Sequence, residues 1–220
     1  MVITRARLIG FTLIEMMIVL AITGLLIGLA TGAFAVFSRD FTEREADFRA
    51  SSERLRRLDL VYSAVESTVP WVVKASDGGY GYYFLGRDEG LTLVTVSGIY
   101  SAGAPAVIRL FREPDGPGRF KLVYEEAPLR EVVLGAAEQE LPFAHRLVVL
   151  EDLSSIAFEY YGWESTAVLV AAESGGESFP RWWPEYDGLQ RRLHPSELRI
   201  ELEGASWFFP LPYRAGFAQE

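Results

Sequence analysis

An uncharged apolar run near the amino terminus constrains this chain more than any other feature. It extends from Met16 to Phe37 without an ionisable side chain. As a helix rising ~1.5 Å per residue it would span ~33 Å, which matches the ~30 Å hydrocarbon core of a bilayer. The run therefore predicts a membrane-spanning helix. A single carboxylate, Glu15, lies at its beginning, where an ionisable group is costly and indicates a function.

The residues ahead of this run are as informative as the run itself. Residues 1–10 carry Arg5 and Arg7 and no acid. A secretory signal peptide has its apolar region before the cleavage site, whereas here the candidate cut, after Gly10, precedes the apolar region. Cleavage would keep the helix in the mature protein and leave the new amino group of Phe11 about one turn from the carboxylate. The basic leader predicts a cytoplasmic amino terminus and a larger domain across the membrane.

The stretch from Gly10 to Glu15, Gly-Phe-Thr-Leu-Ile-Glu, resembles the processing motif of type IV prepilins and type II secretion pseudopilins. The resemblance implies that a prepilin peptidase cuts between Gly10 and Phe11 and methylates the new amino terminus. It also implies that Glu15 acts in assembly by pairing with the amino terminus of a neighbouring subunit. An ordinary anchor with a chance acid would not explain the ordered leader, glycine and phenylalanine.

A second helical pattern follows the apolar run. Apolar residues recur every seven positions at Phe41, Phe48, Leu55, Tyr62 and Val69, joined by Leu58, Val61 and Val65. Pro70 ends the pattern, because proline lacks the backbone N–H and disfavours helix at the preceding residue. One continuous helix is therefore predicted from about Phe11 to about Thr68.

Such a helix would be ~85 Å long, longer than a domain of this size is wide. We therefore expect only its carboxyl-terminal part to lie on a sheet, where Leu55, Leu58 and Val65 should matter for folding. The earlier residues Phe41 and Phe48 are predicted to form an interface with the helices of neighbouring subunits.

After Pro70 the apolar period changes to two, which is typical of strands. Strands are predicted over 82–85, 91–96, 106–112, 120–125, 131–134, 146–150, 156–161, 167–171, 197–202 and 206–211. The turn-forming residues from Glu113 to Gly118 predict a hairpin. One long helix followed by such strands predicts an α+β fold with antiparallel sheets. The segment from Glu173 to Pro195 is expected to be a long loop whose tryptophans fold back on a sheet.

The stretch from Val148 to Tyr160 and the strand containing Leu198 resemble the J-type minor pseudopilin of type II secretion. This resemblance implies a pilin-like fold and a place at the tip of a periplasmic pseudopilus that supports protein export. It further implies other minor and major pseudopilins as partners. The segment from Glu173 to Pro195 departs from that pattern and leaves open a minor type IV pilin that primes pilus assembly for motility, adhesion or DNA uptake.

The predicted organisation has four parts. A leader peptide occupies 1–10, a transmembrane and assembly helix 11–38, an amphipathic helix 39–69 and an antiparallel β domain 70–220. The protein is expected to be a single-pass protein of the cell inner membrane with its carboxyl-terminal domain in the periplasm.

Composition argues against other classes of function. The net charge of −9 without a basic patch argues against nucleic acid binding, and the absence of cysteine excludes disulfides and thiolate metal sites. The sequence has no nucleophile elbow, phosphate loop or dinucleotide motif. We therefore expect no enzyme, no cofactor and no metal. A membrane-anchored periplasmic enzyme or binding module would need a polar pocket with displaced pKa values.

Several isolated residues are assigned structural roles. His145 and His194 lack a second ligand at metal spacing and are expected at the surface. The acidic pairs Glu125–Glu126 and Glu138/Glu140 are expected on solvated faces. Asp77 and Asp187 precede glycines but lack the alternating oxygen ligands of a calcium loop.

Overall fold

The computed structural model describes residues 12–101, 103–130 and 132–212. Its compact units are residues 1–53 and 54–220. The helices are α1 (Leu13–Glu66), α2 (Thr166–Glu173) and α3 (Gly188–Arg191). The strands are β1 (Val72–Lys74), β2 (Tyr80–Tyr82), β3 (Phe84–Arg87), β4 (Gly90–Thr95), β5 (Ala106–Pro114), β6 (Phe120–Pro128), β7 (His145–Leu153), β8 (Ile156–Gly162), β9 (Arg181–Trp183), β10 (Tyr186–Asp187), β11 (Glu197–Leu202) and β12 (Ala205–Pro210).

The predicted continuous helix is confirmed by α1, which runs from Leu13 to Glu66. Its end agrees with Pro70 as the terminator. The Thr68 side chain donates to the Val65 carbonyl, and Thr68 then forms an isolated bridge with Thr95. The chain thus leaves the helix and enters β structure within a few residues.

Antiparallel pairing organises the strands into three sheets. A six-stranded sheet has the order β10-β3-β4-β5-β6-β7, a four-stranded sheet has the order β12-β11-β8-β9, and β1 pairs with β2. The hairpin predicted around Glu113 to Gly118 joins β5 to β6 with Pro114 opposite Phe120. The α+β class with a long amino-terminal helix and antiparallel sheets is confirmed, and it is consistent with a pilin-like fold.

The main core lies among the last turns of α1 and the two larger sheets. Ile108 and Leu110 of the six-stranded sheet share one cluster with Phe158 and Leu198 of the four-stranded sheet, and Val65 of α1 joins them. The intervening residues of the six-stranded sheet face the other way and form a second cluster that includes Val94 and Val107. The central strands of that sheet are therefore buried on both faces.

The strand predictions for two segments were wrong. Residues 132–134 form no strand, although Leu134 is buried and its carbonyl accepts from the Trp71 indole at 3.2 Å; Glu131 lies outside the described residues. Residues 167–171 belong to helix α2. Ser165 caps that helix by accepting from the Val168 N–H at 3.3 Å, a local hydrogen bond that an apolar pattern does not reveal.

The predicted loop from Glu173 to Pro195 is more regular than expected. It contains β9, β10 and α3. Strand β9 extends the four-stranded sheet by pairing Trp182 with Tyr161 and Trp183 with Tyr160, whereas β10 extends the six-stranded sheet. The expectation that the tryptophans pack back on a sheet is confirmed.

Candidate functional site

The first part of α1 is an apolar helix whose side chains are exposed. The segment Leu13–Ala35 is long and apolar enough to cross a membrane, and each side chain from Thr12 to Ala35 is exposed. Exposed apolar surface of this extent requires an apolar environment. The segment fits a single-pass membrane anchor.

Glu15 lies in the first turn of this helix. Thr12 precedes α1 as its cap, since its carbonyl oxygen accepts from the N–H groups of Glu15 at 3.1 Å and Met16 at 3.2 Å. The Thr12 hydroxyl also lies 3.4 Å from the Glu15 nitrogen, so Thr-Leu-Ile-Glu has the spacing of a capping box. A carboxylate here is favoured by the positive end of the helix dipole. Gly10 and Phe11 lie outside the described residues, and the cleavage between them stays a prediction.

The second unit contains the end of α1, and here the helix has a buried face. Val61, Ala64 and Val65 are buried in the main core, and Leu58 is partly buried against it. The prediction that Leu55 is also needed for folding is contradicted, because its side chain is 67% exposed. The final turns of α1 have residues from the sheets packed against them.

The two residues predicted as an interface both belong to the first unit. Phe48 is 72% exposed, which leaves its ring available for contacts. The Phe41 side chain is outside the described part of the chain. The interface role of both residues stays a prediction.

An apolar groove of about 310 Å³ lies within the second unit, beside the end of α1. Leu55 and Tyr62 line it from the helix, and Trp207 and Phe209 line it from β12. The ring centroids of Tyr62 and Phe209 are 5.1 Å apart. The aromatic residues of β12 were missed as neighbours of the helix, although the alternation of Trp207 and Phe209 along the strand could have indicated that they share one face.

Glu126 corrects the prediction that the Glu125–Glu126 pair is solvated. Glu126 is 0% exposed, whereas Glu125 lies on the other face of β6 and contacts Arg146 at 3.1 Å. The alternation of Leu122, Tyr124 and Glu126 along β6 could have indicated this burial. Burial, together with the hydrogen bond to Glu126, raises the pKa of Tyr124 above its usual value.

His194 corrects the prediction of a surface histidine. It is 1% exposed and its ring centroid lies 5.0 Å from that of Phe84 in an edge contact. Its Nδ1 is 2.9 Å from the Pro195 carbonyl oxygen. Burial lowers the pKa of His194 to about 4, because charging the ring in this apolar surrounding is unfavourable. His145 begins β7 and is partly buried, stacked on Tyr100.

The two aspartates that precede glycines have local structural roles. Asp77 accepts from the Gly79 N–H at 2.8 Å, and Asp187 caps α3 by accepting from the N–H groups of Leu189 and Gln190. Within residues 12–101, 103–130 and 132–212, no three His, Asp or Glu residues are arranged to hold a metal ion.

The surface formed by β9 is stabilised by stacked cations. The Cζ atoms of Arg181 and Arg191 lie 3.9 and 4.0 Å from the centroid of the Trp183 ring. The Cζ atom of Arg199 lies 4.6 Å from the centroid of the Trp182 ring. Both indoles are partly buried. These contacts hold β9 against its sheet and favour a packing role for the tryptophan pair.

Comparison with known families assigns the amino-terminal segment. Residues 9–31 match the family described as the prokaryotic N-terminal methylation motif. The motif supports a type IV pilin-like or pseudopilin-like protein. It implies processing by a prepilin peptidase and assembly with other pilins. No curated protein matches the chain, and the matched residues end within the anchor helix, so the match carries no information about which member of this group the chain is.

Proposed function

We propose that this chain is a minor pseudopilin of the type II secretion system, of the J type, and serves at the tip of a periplasmic pseudopilus. The observation that carries the proposal is the prepilin-type motif at residues 9–31 at the start of one long helix that leads into antiparallel sheets. In this role the protein supports export as a structural subunit and catalyses no reaction.

The proposed domain organisation follows the predicted one. Residues 1–10 are the leader, 11–38 the membrane and assembly helix, 39–69 the amphipathic helix, and 70–220 the β domain in the periplasm. The compact second unit begins at Arg54. The part of the amphipathic helix that carries Phe41 and Phe48 is therefore outside that unit, which supports an assembly role for these residues.

In the proposed assembly step, Glu15 recognises the cleaved amino terminus of an adjoining subunit. Its exposed carboxylate at the start of an apolar helix has a desolvation cost in the membrane. A positively charged amino group supplies the compensating charge and hydrogen bonds. Such a pair forms only after cleavage, so processing and assembly are coupled.

Processing is tested by mass spectrometry of the protein produced together with its own prepilin peptidase. We expect a mature chain that begins at Phe11 and carries an N-methyl group. Replacing Gly10 by leucine should block the cut, because a bulky side chain then stands at the cleavage site, whereas Ile9→Leu serves as a matched control that should be processed normally. A mature chain beginning at another residue would contradict the proposal.

The alternative is a minor type IV pilin that primes pilus assembly. It is favoured by the segment between α2 and β9, where Phe179 is 81% exposed in a stretch that departs from the pseudopilin pattern. Deletion of the gene separates the two functions: loss of protein export with normal twitching supports the pseudopilin, and the reverse result supports the pilin.

A further inference from the structure

Strand β12 is an open edge of the four-stranded sheet, since β11 is the only strand paired with it among the described residues. Its sequence, Ala-Ser-Trp-Phe-Phe-Pro, contains no charged residue. Ala205 and Ser206 are exposed, and so is Phe208, by 52%. An exposed edge presents unpaired backbone N–H and C=O groups on which another strand can pair. The proposed function makes no use of this edge.

The other edges of the two larger sheets have features that discourage pairing. Strand β7 includes charged residues such as Arg146 and Glu151, and its pairing with β6 is irregular between Phe120 and Val123. Strands β9 and β10 have only three and two residues. Charge, irregular pairing and short length all protect sheet edges from other strands. Among the described edges of these two sheets, β12 is therefore the one that is both long and uncharged.

The hydrogen bonds between β11 and β12 alternate in a way that the structure fixes. The Leu211 N–H donates to the Ser196 carbonyl at 2.8 Å, and this pair continues the register of the two strands. Hydrogen-bonded pairs alternate with non-hydrogen-bonded pairs in an antiparallel ladder. The backbone groups of Trp207 and Phe209 therefore point to β11, as those of Leu211 do.

The intervening residues of β12 point their backbone groups the other way. Ser206 and Phe208 consequently direct their N–H and C=O groups to the open side of the edge. Pro210 occupies the next outward position, where it has no N–H to donate. Complete pairing at this edge is therefore limited to Ser206 and Phe208, each with one donor and one acceptor.

The side chains beside this edge are apolar on both faces of the sheet. Trp207 and Phe209 line the groove of about 310 Å³ between α1 and β12. On the opposite face, the Phe208 and Trp182 ring centroids are 6.1 Å apart. A strand added at β12 would cover apolar surface on both faces, which supplies a driving force beyond the backbone hydrogen bonds.

We propose that β12 pairs antiparallel with β12 of a second copy of this chain, about a two-fold axis at Trp207. In this register Ser206 of each copy faces the partner's Phe208, and the outward donors and acceptors of both copies form four hydrogen bonds. A shift by two residues would instead use Pro210, which lacks the N–H, or the turn residue Gly204. The lack of charge removes the like-charge repulsion that two identical strands can create. The edge is thus complementary to itself.

The chain has no cysteine, so one introduced thiol reports on one position of the interface. Trp207 would lie opposite the partner's Trp207 in a non-hydrogen-bonded pair with Cα atoms ~4.5 Å apart, a separation that a disulfide bridges. Trp207→Cys should form a covalent dimer when the full-length protein in a non-ionic detergent is oxidised with copper phenanthroline and run on a non-reducing gel. Pro210→Cys is the matched control and should stay monomeric, because its two thiols would be ~20 Å apart.

A backbone variant tests the hydrogen bonds without a thiol, and it decides the question if Trp207→Cys fails to fold. Ser206→Pro removes an N–H that points away from β11, so the sheet is kept while two of the four hydrogen bonds between the copies are lost. By sedimentation equilibrium in detergent, we expect a concentration-dependent dimer for the wild type. Dimerisation should be at least ~10-fold weaker for Ser206→Pro, whereas Ser206→Ala, the matched control that keeps the N–H, should behave as the wild type does.

Three results would overturn the proposal. They are a folded Trp207→Cys that forms no covalent dimer, a Pro210→Cys that forms as much of it, and equal dimerisation of Ser206→Pro and Ser206→Ala. In the last case, association of the copies would be assigned to the anchor helix. None of these measurements depends on leader cleavage, export or pilus assembly.

Discussion

Helix α1 meets two different environments along one continuous backbone. In the first unit every described side chain is exposed, including the apolar anchor and Phe48. In the second unit Val61, Ala64 and Val65 are buried in the main core. The same secondary structure is therefore exposed in one unit and packed in the other, because burial depends on what packs against a helix and not on the helix itself.

The largest expected effect concerns Glu15, which tests the proposed assembly role of the first unit alone. Glu15→Leu should leave membrane insertion and cleavage intact, since it removes a charge from an apolar helix. Export, or piliation, should fall to near the level of the deletion strain because the partner amino group loses its carboxylate. Complementation of the deletion strain, with immunoblotting for the processed form, measures both effects. Full complementation by Glu15→Leu would refute the assembly role.

A matched pair of phenylalanine variants tests the comparison most directly. Phe158 is buried in the main core and Phe48 is exposed. Phe158→Ala should lower the free energy of unfolding by ~3–5 kcal/mol. Phe48→Ala should change the free energy of unfolding by less than ~0.5 kcal/mol, but it should weaken the pull-down of partner pilins. Denaturant melts of full-length protein in detergent provide the stability measurement. Equal destabilisation by the two variants would remove the distinction between the units.

The pH dependence of stability should originate in the second unit. The pKa of His194 is about 4 in the folded protein and ~6.5 when unfolded. Between these two pH values, the unfolded state therefore binds a proton that the folded state does not bind. Because of this residue, stability is highest above pH ~6.5 and falls as the pH decreases to about 4. The total loss from this residue is about 3 kcal/mol.

His194→Gln provides the control for this effect. Between those pH values, the free energy of unfolding should depend less steeply on pH in the variant. The difference in slope should be that of one proton, about 1.4 kcal/mol per pH unit. Urea melts at a series of pH values measure the slope. An unchanged slope in His194→Gln would show that the ring does not control acid sensitivity.

The smallest effect locates the boundary between the exposed and the packed parts of α1. Leu58 is partly buried against the core, whereas Leu55 is mostly exposed. Leu58→Ala should cost less than the ~2–5 kcal/mol of a fully buried leucine but more than Leu55→Ala. Thermal melts of the two variants decide this order. If Leu55→Ala is the more damaging variant, the buried part of the helix begins earlier than the structure places it.

Local signals allowed much of this protein to be predicted from its sequence. One continuous stretch contains the apolar run, its basic leader and the Gly-Phe motif. Each of these signals can be interpreted without a contact to a residue distant in the sequence. The same holds for the end of α1 before Pro70 and for the β5–β6 hairpin, whose turn is set by Glu113 to Gly118. Secondary structure at these places follows from backbone chemistry and periodicity.

Tertiary structure decided what periodicity could not. Leu55 and Leu58 belong to one apolar pattern, yet only the elements that reach α1 determine which is covered. Glu126 and His194 are polar residues that the fold buries against segments distant in the sequence, Gly98 and Tyr100 in one case and Phe84 in the other. A residue's burial is a property of the surfaces brought together, and the chain specifies these only through all of its contacts at once.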